Sequence, residues 1–202
     1  MEQYSFNIWL CLASAAVGYL CGNLQTAILI SKRYYHDDVR SHGSGNAGST
    51  NMVRVFGFKP GIVTFIGDFC KAIAAVLLGR LLMGTLGGYV SALFVVLGHC
   101  YPVFAGFRGG KGVASSFAIA WVTFPLGAAI TTAAAAIVLA ATKKVSLVSL
   151  SGMLVFLITT LIFRITDIAL VALTVILTAI VYLRHTDNIR RLLHNEEKQI
   201  VN

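Results

Sequence analysis

The sequence predicts an all-α integral membrane protein that crosses the bilayer several times. Of its 202 residues, 57% are hydrophobic and only 12% are charged, whereas a soluble domain usually has about a quarter charged residues. Apolar runs of about 20 residues are typical of membrane-spanning helices. Such runs cover residues 6–30, 61–83, 86–104, 113–141, 146–163 and 167–183. We therefore expect a single membrane-embedded domain over residues 1–202.

The positive charges predict which loops face the cytoplasm, because Lys and Arg concentrate in the cytoplasmic loops of polytopic proteins. Basic residues gather in 31–59, in 105–112 and in the tail from 184, whereas the connections 79–86 and 164–167 hold one each. An N-terminus outside the membrane places the segments 31–59 and 105–112 inside. Since these charges lie between spans and not along one soluble face, we predict no binding to nucleic acid.

The run 113–141 leaves the number of crossings open. A single crossing would place Lys143, Lys144 and the basic tail outside, against the charge bias. Two crossings that turn near Thr123–Ala128, where Pro125 interrupts the run, restore that bias. About 29 residues are few for two spans, since about 17 each is the usual minimum. We predict two crossings, and hence seven short transmembrane helices with the N-terminus out and the C-terminus in.

Two glycine-rich stretches then lie on the same face. Residues 41–57 (SHGSGNAGSTNMVRVFG) hold four glycines, and residues 106–118 (GFRGGKGVASSFA) place three glycines around Lys111. Glycines let backbone N–H groups approach a ligand, and runs of such amides form anion sites. The second stretch is not a nucleotide-binding P-loop, because Ala105 and Gly112 occupy its first and last positions. The alternatives are a flexible loop for the first stretch and a positive-inside anchor for the second.

Two shorter polar stretches complete this face. Within residues 143–149, Ser146 can donate to a ligand or cap the next helix. In residues 184–200, His185 and Asn188 lie at helical spacing, so one face can present an imidazole and an amide. The alternative for that segment is a solvated interfacial helix.

Three polar residues inside the spans have a structural interpretation. Asp68 and Lys71 are three residues apart, and a charge at the centre of the membrane costs about 2.5–3.5 kcal/mol. We therefore expect them to pair with each other or to lie near the interface. His99 can equally be a core histidine that bonds a backbone carbonyl.

Three motifs carry a resemblance to a known family: GSGNAGSTNMVRVFG, GHCYPVFAGFRGGKGVA and LRHTDNIRRLL. They resemble, in order and spacing, the motifs of the bacterial acyl-phosphate-dependent glycerol-3-phosphate acyltransferases, the PlsY family. The resemblance extends from about Gly18 to the C-terminus. It departs at Ala47, where the family usually has proline, and at Ser49, where it usually has alanine.

The resemblance implies transfer of a fatty acyl group from acyl phosphate to the 1-hydroxyl of glycerol 3-phosphate. The products are lysophosphatidic acid and phosphate, in the first step of bacterial phospholipid synthesis. It implies seven helices in the plasma (inner) membrane and an active site at the cytoplasmic face. The expected partners are the two small-molecule substrates, membrane lipid and a functionally linked soluble enzyme that produces acyl phosphate.

By position, the resemblance also assigns site residues. Arg54 and Lys111 would bind the phosphate of glycerol 3-phosphate, with His185 and Asn188, and these four form the predicted catalytic set. The predicted substrate-binding residues are Ser44, Gly45, Asn46, Gly48, Gly110, Gly112 and, as a lesser candidate, Ser146.

The residue types suit this chemistry without a metal or a cofactor. Amides, Lys and Arg bind phosphate, and an acyl phosphate is an activated anhydride, so no covalent acyl-enzyme is required. The His-x-x-x-x-Asp pair of other glycerol phosphate acyltransferases is missing, since no histidine has an aspartate five residues later. Whether His185 or a substrate phosphate oxygen takes the proton stays open at this point.

Two rival functions are compatible with the composition. A membrane anion or phosphate transporter would also use glycine-rich helix ends, but transporters usually bind near the midplane within inverted repeats, and the sequence shows no repeat. A phosphatidyl-alcohol transferase would require clustered aspartates for metal, and the eight acidic residues form no cluster within a span.

Overall fold

The computed structural model describes residues 7–197 and 199, and over that part of the chain it contains helices and loops but no strand. The all-α prediction is therefore confirmed for the described residues. The α-helices are α1 Ile8–Asn23, α2 Thr26–Tyr34, α3 Ser49–Phe56, α4 Phe58–Cys100, α5 Val113–Thr123, α6 Pro125–Thr142, α7 Val145–Phe163, α8 Ile168–Arg184 and α9 Thr186–Leu193. Two short 3-10 helices, Val39–Ser41 and Val103–Ala105, lie in the loops before α3 and α5.

Four helical segments of the described chain are long and apolar enough to cross a membrane. They are Ile8–Tyr34, Phe58–Ala105, Pro125–Thr142 and Val145–Phe163. Helices α8 and α9 meet at 64° and provide a fifth if they are taken as one broken span. These segments agree with a polytopic protein. The seven crossings and the orientation of the termini stay predictions.

Helix α4 is much longer than the bilayer is thick and is broken in its middle. Its 43 residues would extend about 65 Å at the α-helical rise, about twice the apolar thickness of a membrane. The backbone leaves the helical region at Met83 and at Gly84, whose φ of 57° favours glycine. Ser91, beyond the break, donates to the carbonyl of Ala75 before it at 2.7 Å. The two halves of α4 thus pack against each other, and they correspond to the separate apolar runs 61–83 and 86–104.

Small residues let α1 approach the second half of α4 closely. A Cβ atom on Gly18 would clash with the backbone carbonyl of Ser91, and one on Gly98 would clash with that of Tyr19. Contacts of this kind are typical of helix pairs in membranes, where small residues allow the backbones to meet. This packing brings the end of α1 next to the end of α4, from which the second polar stretch begins.

The apolar run 113–141 forms two helices, α5 and α6, with a break where it was predicted. Phe124 between them is non-helical, with φ −148° and ψ 80°, and Pro125 begins α6 at a position where its missing N–H leaves no hydrogen bond unmade. The chain divides at the same place into two compact units, residues 1–122 and 123–202. That α5 crosses the membrane stays a prediction, because this helix is shorter than a usual span.

Candidate functional site

The first polar stretch forms a compact loop organised by the buried side chain of Asn51. Its Nδ2 group donates to the carbonyls of Val39 at 3.0 Å, His42 at 3.1 Å and Asn46 at 3.0 Å, and its Oδ1 accepts from the N–H of Ser44 at 2.9 Å. Asn51 is only 2% exposed. A single side chain at the start of α3 therefore fixes the shape of this loop.

The predicted residues of the first motif, Ser44, Gly45, Asn46 and Gly48, all lie in this loop. Gly45 has a φ of 71°, which favours glycine. The Asn46 side chain turns back and donates to the Ser44 carbonyl at 3.0 Å. Ser44 and Gly45 are exposed, and Gly48 precedes the first residue of α3. Arg54 lies on the same short helix and is exposed.

The second polar stretch packs its glycines against His99 and against the first loop. The N–H of Gly110 donates to the carbonyl of His99 at 3.1 Å. A Cβ atom on Gly110 would clash with His99 Nε2 and would lie 2.9 Å from the carbonyl oxygen of Ala47. Gly112 has a φ of 80° and directly precedes α5. The structure therefore brings the two predicted glycine-rich loops of the first unit into contact, with Lys111 between the buried Gly110 and Gly112.

An arginine clamp also connects the two loops. Arg40 donates through Nη1 to the carbonyl of Ala105 at 2.7 Å and to that of Arg108 at 3.3 Å, and through Nη2 to Asp38 Oδ2 at 2.7 Å. This hydrogen bond from the Arg40 guanidinium lowers the pKa of the Asp38 carboxyl from 3.8 to about 2. The pair holds the segment before the first loop against the segment before the second.

The expected pairing of Asp68 with Lys71 is confirmed, and it includes His99. Lys71 Nζ lies 2.7 Å from Asp68 Oδ1 and 2.9 Å from His99 Nδ1. All three residues are buried. They lie directly behind the second glycine loop, since His99 contacts Gly110 through both its ring and its carbonyl.

In the second unit, the predicted histidine and asparagine occupy the junction of α8 and α9. His185 is 3% exposed, and its Nδ1 lies 2.7 Å from the carbonyl oxygen of Val181. Because a carbonyl can only accept, Nδ1 carries the proton of this bond. Asn188 donates to Glu197 Oε1 at 2.7 Å, and Arg191 donates to Glu197 Oε2 at 2.8 Å. The helical spacing thus buries both predicted side chains.

Glu197 accepts hydrogen bonds from two side chains of the second unit, Asn188 and Arg191. Burial raises the pKa of its carboxyl, but hydrogen bonds from Arg191 and Asn188 outweigh burial and hold the pKa below its usual value. These two side chains therefore share one ionised carboxylate, whereas the predicted Ser146 is buried in the first turn of α7. Nothing in the sequence distinguished Glu197 from the two other acidic residues of the C-terminal stretch, Asp187 and Glu196.

The described residues contain no group of three or more His, Cys, Asp or Glu side chains arranged to hold a metal ion. They do present residue types that suit an anion: glycines and Lys111 in the first unit, and an imidazole and an amide in the second. The described part of the chain is thus a polytopic helical membrane protein with glycine-rich polar loops between its helices.

Comparison with known proteins identifies the family to which this membrane protein belongs. The family model described as glycerol-3-phosphate acyltransferase matches residues 12–195. A glycerol-3-phosphate acyltransferase of Clostridioides difficile is 41% identical over 206 residues, covering 99% of this chain and 98% of the relative. One from Finegoldia magna is 40% identical over 184 residues, covering 91% and 93%. The chain belongs to the glycerol-3-phosphate acyltransferase family, as its motifs predicted.

Solved structures agree with this assignment. The crystal structure of PlsY, described as an integral membrane glycerol 3-phosphate acyltransferase in its glycerol 3-phosphate form, is similar with a TM-score of 0.88 and 30% identity, covering 94% of each chain. Its lysophosphatidic acid form is similar with a TM-score of 0.84 and 28% identity, covering 94% of each chain. The predicted multi-pass membrane location is thereby supported.

Proposed function

We propose that the protein transfers a fatty acyl group from acyl phosphate to the 1-hydroxyl of glycerol 3-phosphate, releasing lysophosphatidic acid and inorganic phosphate. The observation that carries this proposal is the contact between two glycine-rich loops in the first unit, where Gly110 packs against the Ala47 carbonyl beside Lys111. The family supports it, since similar structures are described with glycerol 3-phosphate and with lysophosphatidic acid.

The acyl phosphate is assigned to the two loops. The side chains of Ser44 and Asn46 and the backbone of Gly45 and Gly48 approach its phosphate from one loop, and the backbone of Gly110 and Gly112 approaches it from the other. The N–H groups of Ser44, Gly45 and Gly110 are not among the donors, because they bond Asn51, His42 and His99 within the loops. The start of α5 adds the positive end of a helix dipole next to Gly112. Because the phosphate is the leaving group, donors on its oxygens stabilise the charge that develops there.

The phosphate of glycerol 3-phosphate is assigned to cationic and polar side chains. Lys111 supplies a point charge, and Arg54 supplies a planar fork that suits a phosphate. Asn188 and His185 complete the set, with Ser146 as a further donor. Since His185 Nδ1 is bonded to the Val181 carbonyl, its Nε2 is the nitrogen that this assignment directs to the substrate.

The reaction proceeds in a single displacement at the acyl carbon. The 1-hydroxyl oxygen of glycerol 3-phosphate attacks, the ester bond forms, and the bond between the acyl carbon and the phosphate oxygen breaks. A substrate phosphate oxygen takes the hydroxyl proton, so no acyl-enzyme and no metal are required. Holding the reactants in line can account for about 7–11 kcal/mol of barrier lowering.

We also propose in which membrane the protein lies and which face of that membrane carries its active site. The basic residues support seven crossings of the plasma (inner) membrane, with the N-terminus out and the active site at the cytoplasmic face. The whole chain, residues 1–202, then acts as one acyltransferase domain. Acyl phosphate would come from a soluble enzyme that delivers it to that face.

The test supplies the purified protein in lipid with glycerol 3-phosphate and one acyl donor at a time: acyl phosphate, acyl-CoA or acyl-carrier protein. We expect lysophosphatidic acid only with acyl phosphate. Lys111→Ala should reduce turnover by at least about 100-fold through lost positioning, whereas the exposed Lys59→Ala serves as the matched control. Turnover with acyl-CoA as the only effective donor would contradict the assignment of acyl phosphate as the acyl donor. Uptake of phosphate by liposomes without acyl transfer would favour the transporter alternative.

A further inference from the structure

A buried polar network of Asp68, Lys71 and His99 lies behind the second glycine loop, outside the predicted set of substrate-binding residues. Asp68, Lys71 and His99 are 1%, 7% and 3% exposed. Asp68 and Lys71 lie on the first half of α4, and His99 lies at the end of its second half. The network therefore connects both halves of the broken helix at the level of the loop.

The hydrogen bonds of Lys71 determine which nitrogen of the His99 ring carries the proton. Lys71 Nζ lies 2.7 Å from Asp68 Oδ1, 2.6 Å from the Leu24 carbonyl oxygen and 2.9 Å from His99 Nδ1. An ammonium group has three donors and no acceptor, and both oxygens accept. His99 Nδ1 is therefore the acceptor of the third bond. The neutral imidazole then carries its proton on Nε2.

The other side of His99 faces the loop. A Cβ atom on Gly110 would clash with His99 Nε2, and one on Gly109 would clash with the His99 carbonyl oxygen. That carbonyl accepts the N–H of Gly110 at 3.1 Å. His99 thus contacts the two residues that precede Lys111, and Lys71 fixes the orientation of its ring.

Neighbouring segments bind the same network. Thr26 at the start of α2 donates to Asp68 Oδ1 at 3.1 Å, and Ser115 in α5 donates to the Asp68 carbonyl at 3.5 Å. Gln25 donates to the His99 carbonyl at 3.2 Å. The network therefore connects α2 and α5 to α4 behind the loop.

We propose that Asp68, Lys71 and His99 are positioning residues for acyl transfer: they orient the His99 ring and carbonyl on which Gly109 and Gly110 rest, and so place Lys111. This inference depends on the proposed function for its kinetic part. A role in folding alone is a poor account of the arrangement, because a buried ion pair contributes little net stability compared with well-packed apolar side chains.

Two histidine variants separate positioning from folding. In His99→Asn, the side-chain oxygen replaces Nδ1 as acceptor for Lys71, but the part of the ring that packs on Gly110 is lost. His99→Ala loses both. We expect His99→Asn to melt within a few degrees of the wild type, while kcat/KM for glycerol 3-phosphate falls about 10- to 100-fold.

Two further variants test the charge pair. Lys71→Met leaves the Asp68 carboxylate buried without its cation, so it should lower the melting temperature. Adding Asp68→Asn removes that charge. The double variant should recover most of the melting temperature but not the activity, since neither of the new side chains can orient His99 as Lys71 does.

Amide hydrogen exchange gives a readout that does not require turnover. In His99→Asn, exchange in the peptide 106–114 should rise, while exchange in α6, residues 125–142, stays as in the wild type. Unchanged exchange in 106–114 together with near-wild-type kcat/KM would overturn the proposal. A rise in exchange throughout the described chain, in parallel with lost activity, would also overturn it, because that outcome indicates a role in folding alone. Wild-type turnover in the same preparations tests the proposed function separately.

Discussion

The two units hold their candidate residues in different ways. In the first unit, the predicted phosphate-binding residues lie in glycine-rich loops, and the buried residues Asn51 and His99 hold those loops in place. In the second unit, the candidates are side chains on or beside short stretches of helix: the partly buried carboxylate of Glu197 holds Asn188, and the Val181 carbonyl holds His185.

The difference shows that the two kinds of ligand need different support. A loop that offers its amides to a ligand cannot use them for regular secondary structure, so other groups must fix its shape. A side chain on a helix already has a fixed backbone and needs only its rotamer fixed. We therefore expect the first unit to lose function more steeply than the second when a supporting residue is changed.

The largest effect should follow the loss of Asn51. Asn51→Ala leaves the Ser44 N–H without its acceptor, which costs about 1–3 kcal/mol for a buried group left unsatisfied. It also removes one of two donors from the carbonyls of Val39 and His42, which keep their backbone hydrogen bonds from His42 and Gly45. We expect acyl transfer to fall by about 100-fold or more, because the first loop changes shape. Steady-state kinetics and thermal unfolding in detergent measure the two effects.

A second variant, Asn51→Asp, and a control at another buried asparagine test whether the hydrogen bonds of Asn51 hold the loop. Asp can still accept from Ser44 but cannot donate to the three carbonyls, so it should also be defective. Asn23→Ala is the matched control, since Asn23 is a buried asparagine of the same unit that bonds Tyr19 and Phe104. Near-normal turnover in Asn51→Ala would contradict the account of how the first loop is held.

Local patterns were sufficient for the long apolar helices, but not for α3, which lies within a stretch predicted as a loop, nor for the break between α1 and α2 inside the run 6–30. The apolar runs predicted the helical segments, and Pro125 predicted the break between α5 and α6 because it interrupts an otherwise continuous run. The glycine-rich stretches around Gly45 and Lys111 were also visible locally. These features depend on neighbouring residues, so a single sequence reveals them.

The supporting residues could not be predicted in the same way. His99 and Lys71 are 28 residues apart and meet only because α4 is broken and its halves pack together. Glu197 lies nine residues after Asn188, beyond the end of α9, and reaches it only when the chain turns back. Asn51 stood among several polar residues, and nothing in the stretch distinguished the one that is buried.

A smaller effect is expected in the second unit from Glu197→Gln. The amide oxygen can still accept from Asn188, but the charge that Arg191 binds is lost, and hydrogen bonds to charged groups contribute about 1.5–3 kcal/mol. We expect kcat/KM for glycerol 3-phosphate to fall about tenfold, which corresponds to about 1.4 kcal/mol. The exposed neighbour Glu196→Gln is the matched control. A loss as large as that of Asn51→Ala would break the distinction between the two units.

The smallest effect should come from the arginine clamp, because it is partly exposed. Asp38 has a side-chain exposure of 24%, and pairs of this kind contribute about 1 kcal/mol or less. The pKa of Asp38 is lowered from 3.8 to about 2, so the ionised carboxylate stabilises the folded state above about pH 4. That contribution is lost as the pH falls through about 2.

Asp38→Asn should therefore melt slightly below the wild type at neutral pH, and the difference should shrink between about pH 4 and pH 2. Thermal unfolding across this range measures it, with the exposed Asp187→Asn as the control for removing a carboxylate from the second unit. Because Arg40 still reaches the Ala105 carbonyl in this variant, activity should fall only a few-fold. A pH-independent difference would mean that the Asp38 charge does not stabilise the clamp, and the contact between the loops would then depend on Gly110 and Ala47.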